Sequence, residues 1–114
     1  YDDDGAAIGA VDLAPYLGRC RVIHAIACGP LVEWRHLEHA LADLPPRVLL
    51  RTYERAPLDR FDDALAAYPP ETLERLADLG VQLVGIDTAS VDPAASKTLA
   101  AHQVLRRRGL RVLE

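Results

Sequence analysis

Short apolar runs of strand length alternate with stretches of helical period along residues 21–113, and this alternation constrains the fold more than any other feature. The run Val81-Gln82-Leu83-Val84-Gly85-Ile86 is nearly all apolar, the pattern of a strand buried on both faces. Residues 21–27, closed by Gly29-Pro30, and residues 47–53 read as two further strands, and residues 110–113 as a last one. Residues 33–44 read as a helix because Trp34, Leu37, Leu41 and Leu44 recur at three- and four-residue steps before Pro45-Pro46 stops it. A second helix starts at Pro70, the favoured first position, runs through Leu73, Leu76 and Leu79, and ends at Gly80. Residues 97–108 form a third, closed by Gly109. Residues 59–67 suggest a short, poorly formed helix, and the first 19 residues a loop entering the sheet. Strands and helices in this order predict an α/β fold with a partly parallel sheet.

A chain of 114 residues, half hydrophobic and 26% charged, fits one globular domain over residues 1–114 and excludes intrinsic disorder. Its net charge of −4, with no long basic stripe, argues against nucleic acid as a partner. The longest apolar runs are too short to cross a membrane, and no signal-peptide pattern opens the chain. There is no methionine, and the chain runs from Tyr1 to Glu114 with no tail after its last apolar run, so it reads as an internal piece of a longer protein. Cys20 and Cys28 bracket a strand-like stretch that would hold their Cα atoms about 26 Å apart, at roughly 3.3 Å per residue. A disulfide needs under about 7 Å. Free thiols, and hence a reducing, cytoplasmic setting, are expected.

Among candidate chemical groups, Glu33, His36 and His39 share one broad helical face and could hold a metal. The same helix needs a polar face toward solvent, and these residues supply it, which is the preferred reading. His24, among small apolar residues in a strand, reads as a packed histidine with one hydrogen bond. His102 lies mid-helix and Glu114 follows the last strand, so the Gly109 turn could bring the two side chains to one point. An imidazole nitrogen and a carboxylate oxygen are ligands of zinc and manganese, although two ligands do not make a site. The loop Asp87-Thr88-Ala89-Ser90-Val91-Asp92-Pro93 leaves the carboxyl end of a buried strand, where open α/β sheets bind ligands. Its acids and hydroxyls fit either that role or local capping of their own backbone. Arg106-Arg107-Arg108 reads as favourable charge at a helix C-terminus. Gly5-Ala6-Ala7-Ile8-Gly9 lacks the preceding strand and the following Lys-Ser/Thr of a phosphate loop.

Several segments together resemble the bacterial kynurenine formamidases (arylformamidases) of the metal-dependent cyclase family. They are Ile8-Gly9-Ala10-Val11-Asp12-Leu13 with Tyr16-Leu17-Gly18-Arg19-Cys20-Arg21-Val22-Ile23, and Arg47-Val48-Leu49-Leu50-Arg51-Thr52. To these are added Leu83-Val84-Gly85-Ile86-Asp87-Thr88-Ala89-Ser90-Val91-Asp92-Pro93, and Ser96-Lys97-Thr98 running on to His102. The resemblance covers essentially the whole chain, and the Arg-Thr-Tyr segment and the details of residues 93–97 lean toward the formamidase branch.

The resemblance implies a swivelling-domain-like fold, with His102 and Glu114 as metal ligands and Asp87, Ser90 and Asp92 holding them in place from behind. It implies zinc, one or two ions per subunit, with manganese as the alternative, and a homo-oligomer, taken as a dimer. The family's other ligands come from a His-x-x-x-His-x-Asp motif followed by a catalytic histidine, which would lie before Tyr1, and further strands would follow Glu114. No catalytic acid or base is therefore assigned within the chain, and the chain alone is expected not to turn over. For the intact protein the resemblance implies hydrolysis of N-formyl-L-kynurenine, a small-molecule substrate of tryptophan catabolism, to L-kynurenine and formate. Two alternatives stay open: another amide or imide hydrolase of the cyclase family, similar to isatin hydrolase, and a non-catalytic α/β interaction domain in which His102 and Glu114 are structural.

Overall fold

The computed structural model describes residues 5–114. Its elements are β1 (Arg21–His24), β2 (Arg47–Arg51), α1 (Pro70–Asp78), β3 (Leu83–Ile86), α2 (Ala100–Arg108) and β4 (Arg111–Leu113). The strands form one sheet in the order β1-β2-β3-β4, and every pairing is parallel. The expected α/β class is thus borne out, with the four described strands all parallel.

Sheet order that follows chain order puts right-handed crossovers on one face of the sheet. On that face Ile23, Val48, Leu50, Val84 and Ile86 pack with Leu73 and Leu76 of α1 and Val104 and Leu105 of α2 in one core cluster. Arg107 and Arg108 of α2 reach Glu74 on α1, and Arg108 also reaches Asp78 at 2.6 Å, tying the two helices together. The other face carries a cross-sheet row of Val22, Leu49, Gly85 and Leu113. A Cβ on Gly85 would lie 2.4 Å from Leu49 Cδ2, so the absent side chain is what lets Leu49 lie across β3. Tyr68 lies buried beneath the sheet and donates to the Gly85 carbonyl at 3.1 Å.

Four sequence expectations are corrected. Residues 33–44 form no α-helix but two 3-10 turns, Trp34–His36 and Glu38–Ala40. The backbone N–H of Glu33 donates to His36 Nδ1, which closes the first turn. At the far end the Arg21 guanidinium takes the carbonyls of Ala40 and Ala42, and Asp43 is left-handed at φ 50°. An α-helix reaching Leu44 would need the Ala40 carbonyl for itself. The three-residue steps that suggested a helix suit 3-10 turns as well, and Leu37 is still fully buried.

Residues 59–67 are not helical either. Asp62 accepts the Ala64 N–H at 3.0 Å, and Ala67 exchanges hydrogen bonds with the 30–32 segment through an isolated parallel bridge to Leu31. His24 is exposed on the sheet face away from the helices rather than packed. The helix expected from residue 97 starts at Ala100, because Leu99 is left-handed at φ 50°. Both cysteines are free. No helix is long and apolar enough to cross a membrane among the described residues.

Candidate metal centre

The site is built where β3 and β4 end beside α2. Asp92, 2% exposed, sits in the loop after β3 and accepts the N–H groups of Ala101 at 2.8 Å and His102 at 3.1 Å. A carboxylate at this point caps two unpaired first-turn amides and complements the positive end of the helix, so α2 is anchored by the loop that precedes it. The same Asp92 Oδ2 lies 2.7 Å from His102 Nδ1. Asp92 is itself held, its N–H donating to Ser90 Oγ at 3.1 Å. Behind it, Thr88 Oγ contacts the carbonyls of Ala66 and Ser90.

Glu114 arrives from the end of β4. Its Oε2 accepts the Val91 N–H at 2.9 Å, and its Oε1 stands 3.3 Å from His102 Nε2. The side chains of Asp92, His102 and Glu114 are 3%, 9% and 19% exposed. An ionised carboxylate only accepts, so Asp92 assigns the Nδ1 position a proton and leaves Nε2 with its lone pair in the neutral ring. That lone pair faces the Glu114 carboxylate. Two acceptors pointed at each other require a cation between them, a proton or a metal ion. At ordinary Zn–N and Zn–O lengths, two adjacent ligands of a tetrahedral zinc stand roughly 3.4 Å apart, so the observed spacing fits two ligands of such an ion. A carboxylate behind the imidazole is the usual backing of a histidine ligand, fixing its ring and tautomer.

Among the described residues, the donors brought together at this point are this pair. No group of three His, Cys, Asp or Glu able to hold an ion occurs among the described residues, and the face of Glu33, His36 and His39 is no exception. His36 bonds the Glu33 backbone, and the Glu33 carboxylate pairs with Arg35 at 2.6 Å.

The three loop residues separate in role. Asp92 touches His102 directly, and Ser90 steadies Asp92. Asp87 instead turns toward β2, accepting the Thr52 N–H and hydroxyl and the Tyr53 N–H at 2.7 to 3.1 Å. Two further contacts had no signal in the sequence: the Val91 amide on Glu114, and Tyr53, whose hydroxyl donates to Asp62 at 2.7 Å. Burial, with the Asp62 carboxylate next in effect, pushes the Tyr53 phenol up to about 12.

The fold of this parallel sheet is shared with a solved structure described as a potential metal-dependent hydrolase with cyclase activity. The two superpose with a TM-score of 0.80, covering 97% of this chain and 54% of the other, at 20% identity. Closer relatives are named kynurenine formamidase. The protein of Paracidovorax citrulli is 70% identical over 118 residues, that of Delftia acidovorans 69% over 114, and that of Bordetella pertussis 59% over 114. Each alignment takes in 100% of this chain and 54–55% of the relative, so the chain spans about half the length of the curated relatives it matches. The resemblance to bacterial kynurenine formamidases noted in the sequence is thereby borne out along the whole chain. No family model matches.

Proposed function

We propose that this chain is the central part of a metal-dependent amide hydrolase that converts N-formyl-L-kynurenine to L-kynurenine and formate. The observation that carries the reading is the opposed His102 Nε2 and Glu114 Oε1, 3.3 Å apart with Asp92 behind the ring. It is supported by relatives of 59–70% identity that bear the name kynurenine formamidase. Zinc, one or two ions per subunit, suits this donor pair, with manganese the alternative. When bound, such an ion polarises the amide carbonyl and acidifies water.

The residues of this chain do the positioning. Asp92 holds the Nδ1 proton and keeps the ring from turning, so Nε2 is always presented to the same point. The Val91 amide engages Glu114 Oε2, which leaves Oε1 as the oxygen offered beside His102. Water activation, protonation of the departing aryl amine and the remaining ligands are left to groups other than the described residues of this chain. The intact protein is read as a cytoplasmic homo-oligomer.

The test is hydrolysis of N-formyl-L-kynurenine by the intact protein before and after chelation and zinc return. Chelator-sensitive turnover restored by zinc supports family, reaction and metal together. Metal bound without turnover redirects the reading to another amide or imide substrate, and neither metal nor turnover overturns it.

A further inference from the structure

The helix α2 begins late. Its helical period runs back to residue 97, yet the helix starts at Ala100, because Leu99 stands in the left-handed region at φ 50° and ψ 49°. A leucine rarely adopts that conformation, since its Cβ crowds the neighbouring carbonyl. Such strain persists only where the surroundings enforce it, and it collects at functional sites. The hydrogen bonds on either side of Leu99 show what it does. In a helix running from residue 97, the Ala101 N–H would bond the Lys97 carbonyl and the His102 N–H the Thr98 carbonyl. With the helix interrupted at Leu99, both amides turn instead to the Asp92 carboxylate, at 2.8 and 3.1 Å. The Thr98 carbonyl accepts the Gln103 side-chain amide at 2.8 Å in place of the His102 N–H. The Leu99 carbonyl takes up the helical ladder with the Gln103 N–H at 3.0 Å, and the Leu99 N–H donates to Ser96 Oγ at 3.1 Å. Asp92 Oδ2, which receives the His102 N–H, is also the oxygen 2.7 Å from His102 Nδ1. One oxygen thus fixes both the backbone and the ring of His102, which requires that the amide be released from the helix.

We infer that Leu99 and Gln103 are positioning residues for His102. The left-handed backbone at Leu99 withholds the Lys97 and Thr98 carbonyls from α2, and Gln103 satisfies the second of them. The two amides released in this way let Asp92 aim His102 Nε2 at its point beside Glu114. The work is done by the Leu99 backbone and not by its side chain. This rests on the reading of His102 as a metal ligand.

Three variants of the intact protein test it. Glycine takes the left-handed conformation freely, whereas isoleucine keeps the bulk of leucine and resists it. Leu99→Ile should weaken zinc binding about tenfold or more, as loss of the group behind a histidine ligand does, and should alter the visible absorption of the cobalt-loaded protein. Zinc affinity in Leu99→Gly should stay at least about fivefold above that in Leu99→Ile, since only the second variant opposes the backbone. Gln103→Leu, at an exposed position where folding is not at stake, should weaken zinc about threefold or more and change the cobalt spectrum in the same sense. The reverse order at residue 99, with isoleucine tight and glycine weak, makes the side chain the active part and overturns the inference. Wild-type affinity and an unchanged cobalt spectrum in Gln103→Leu overturn it as well, and decide the matter where Leu99→Ile does not fold. The His102 amide proton of the metal-free protein separates this from the reading beneath it. Bonded to a carboxylate, that proton resonates far downfield, and it should move upfield in Leu99→Ile and Gln103→Leu but not in Leu99→Gly. That pattern in a protein that takes up neither zinc nor cobalt upholds the positioning of His102 and overturns the metal reading.

Discussion

Replacing Asp92 by Asn isolates what its charge and its second oxygen do. Asp92 is 2% exposed as a residue, and its carboxylate receives three N–H groups, from the backbone of Ala101 and His102 and from the imidazole at Nδ1. An amide keeps one oxygen. If that oxygen faces His102, the new NH2 is turned on the Ala101 N–H, donor against donor. A buried amide left unpaired costs about 1–3 kcal/mol, and losing the charge at the start of α2 adds up to about 1 kcal/mol. The sum, about 1–4 kcal/mol, lowers the urea midpoint with an unchanged slope. If the amide takes the other orientation, its NH2 faces Nδ1. The ring must then carry its proton on Nε2, the nitrogen that should meet the metal. In either rotamer zinc affinity of the intact protein falls about 10- to 100-fold, the usual cost of losing a partner behind a histidine ligand. Competition with a chromophoric chelator reads the affinity, and circular dichroism confirms the fold. Wild-type zinc affinity in a folded Asp92→Asn protein would refute the argument that Asp92 presents Nε2 to an ion.

Three further outcomes are expected. His102→Ala abolishes zinc binding and turnover of the intact protein, whereas Glu114→Gln weakens zinc binding but retains the Val91 contact through the amide oxygen; metal analysis after dialysis distinguishes them. Gly85→Ala lowers stability by about 1–2 kcal/mol, since its Cβ must displace Leu49 Cδ2 from 2.4 Å. Most of that loss is recovered in a Leu49→Ala background, measured as a double-mutant cycle in urea. Tyr53 ionises near pH 12 in the folded protein, above the ordinary phenol value of about 10. Because its folded value is the higher one, its contribution to stability is full below about pH 10 and is lost as pH rises toward 12. Absorbance titration at alkaline pH follows this ionisation, and Asp62→Asn should bring it down.

The strands were legible because their signal is local. The all-apolar run at 83–86 could only be a strand covered on both sides, and all four of its residues are buried. The helix at Pro70–Asp78 was legible for the same reason, with its start set by proline and its stop by Gly80 at φ 86°. The helix read into residues 33–44 failed because its period of three to four does not separate α from 3-10 geometry. What decided between them was Arg21, which lies 19 residues before the Ala40 carbonyl it removes. His24 was misread for a related reason. Alternation along β1 gives which residues share a face, but only the placement of both helices on one side determines which face is bare.

The functional pair was legible as a possibility and no more, because spacing brings His102 near Glu114 without giving either a reason to be there. The reason lies in Asp92, and its position explains why a sequence reading ranks it level with Asp87 and Ser90. All three are polar residues in one loop, and each could cap its own backbone. Asp92 is distinguished by distance along the chain: it caps amides nine and ten residues downstream, and the same oxygen then reaches the ring of the second. One buried carboxylate therefore sets where α2 starts and which imidazole nitrogen is offered. A residue that fixes a helix terminus is costly to lose for folding alone. Stability cannot separate its two roles, whereas metal affinity can, because a purely structural cap would leave the lone pair of Nε2 where it is.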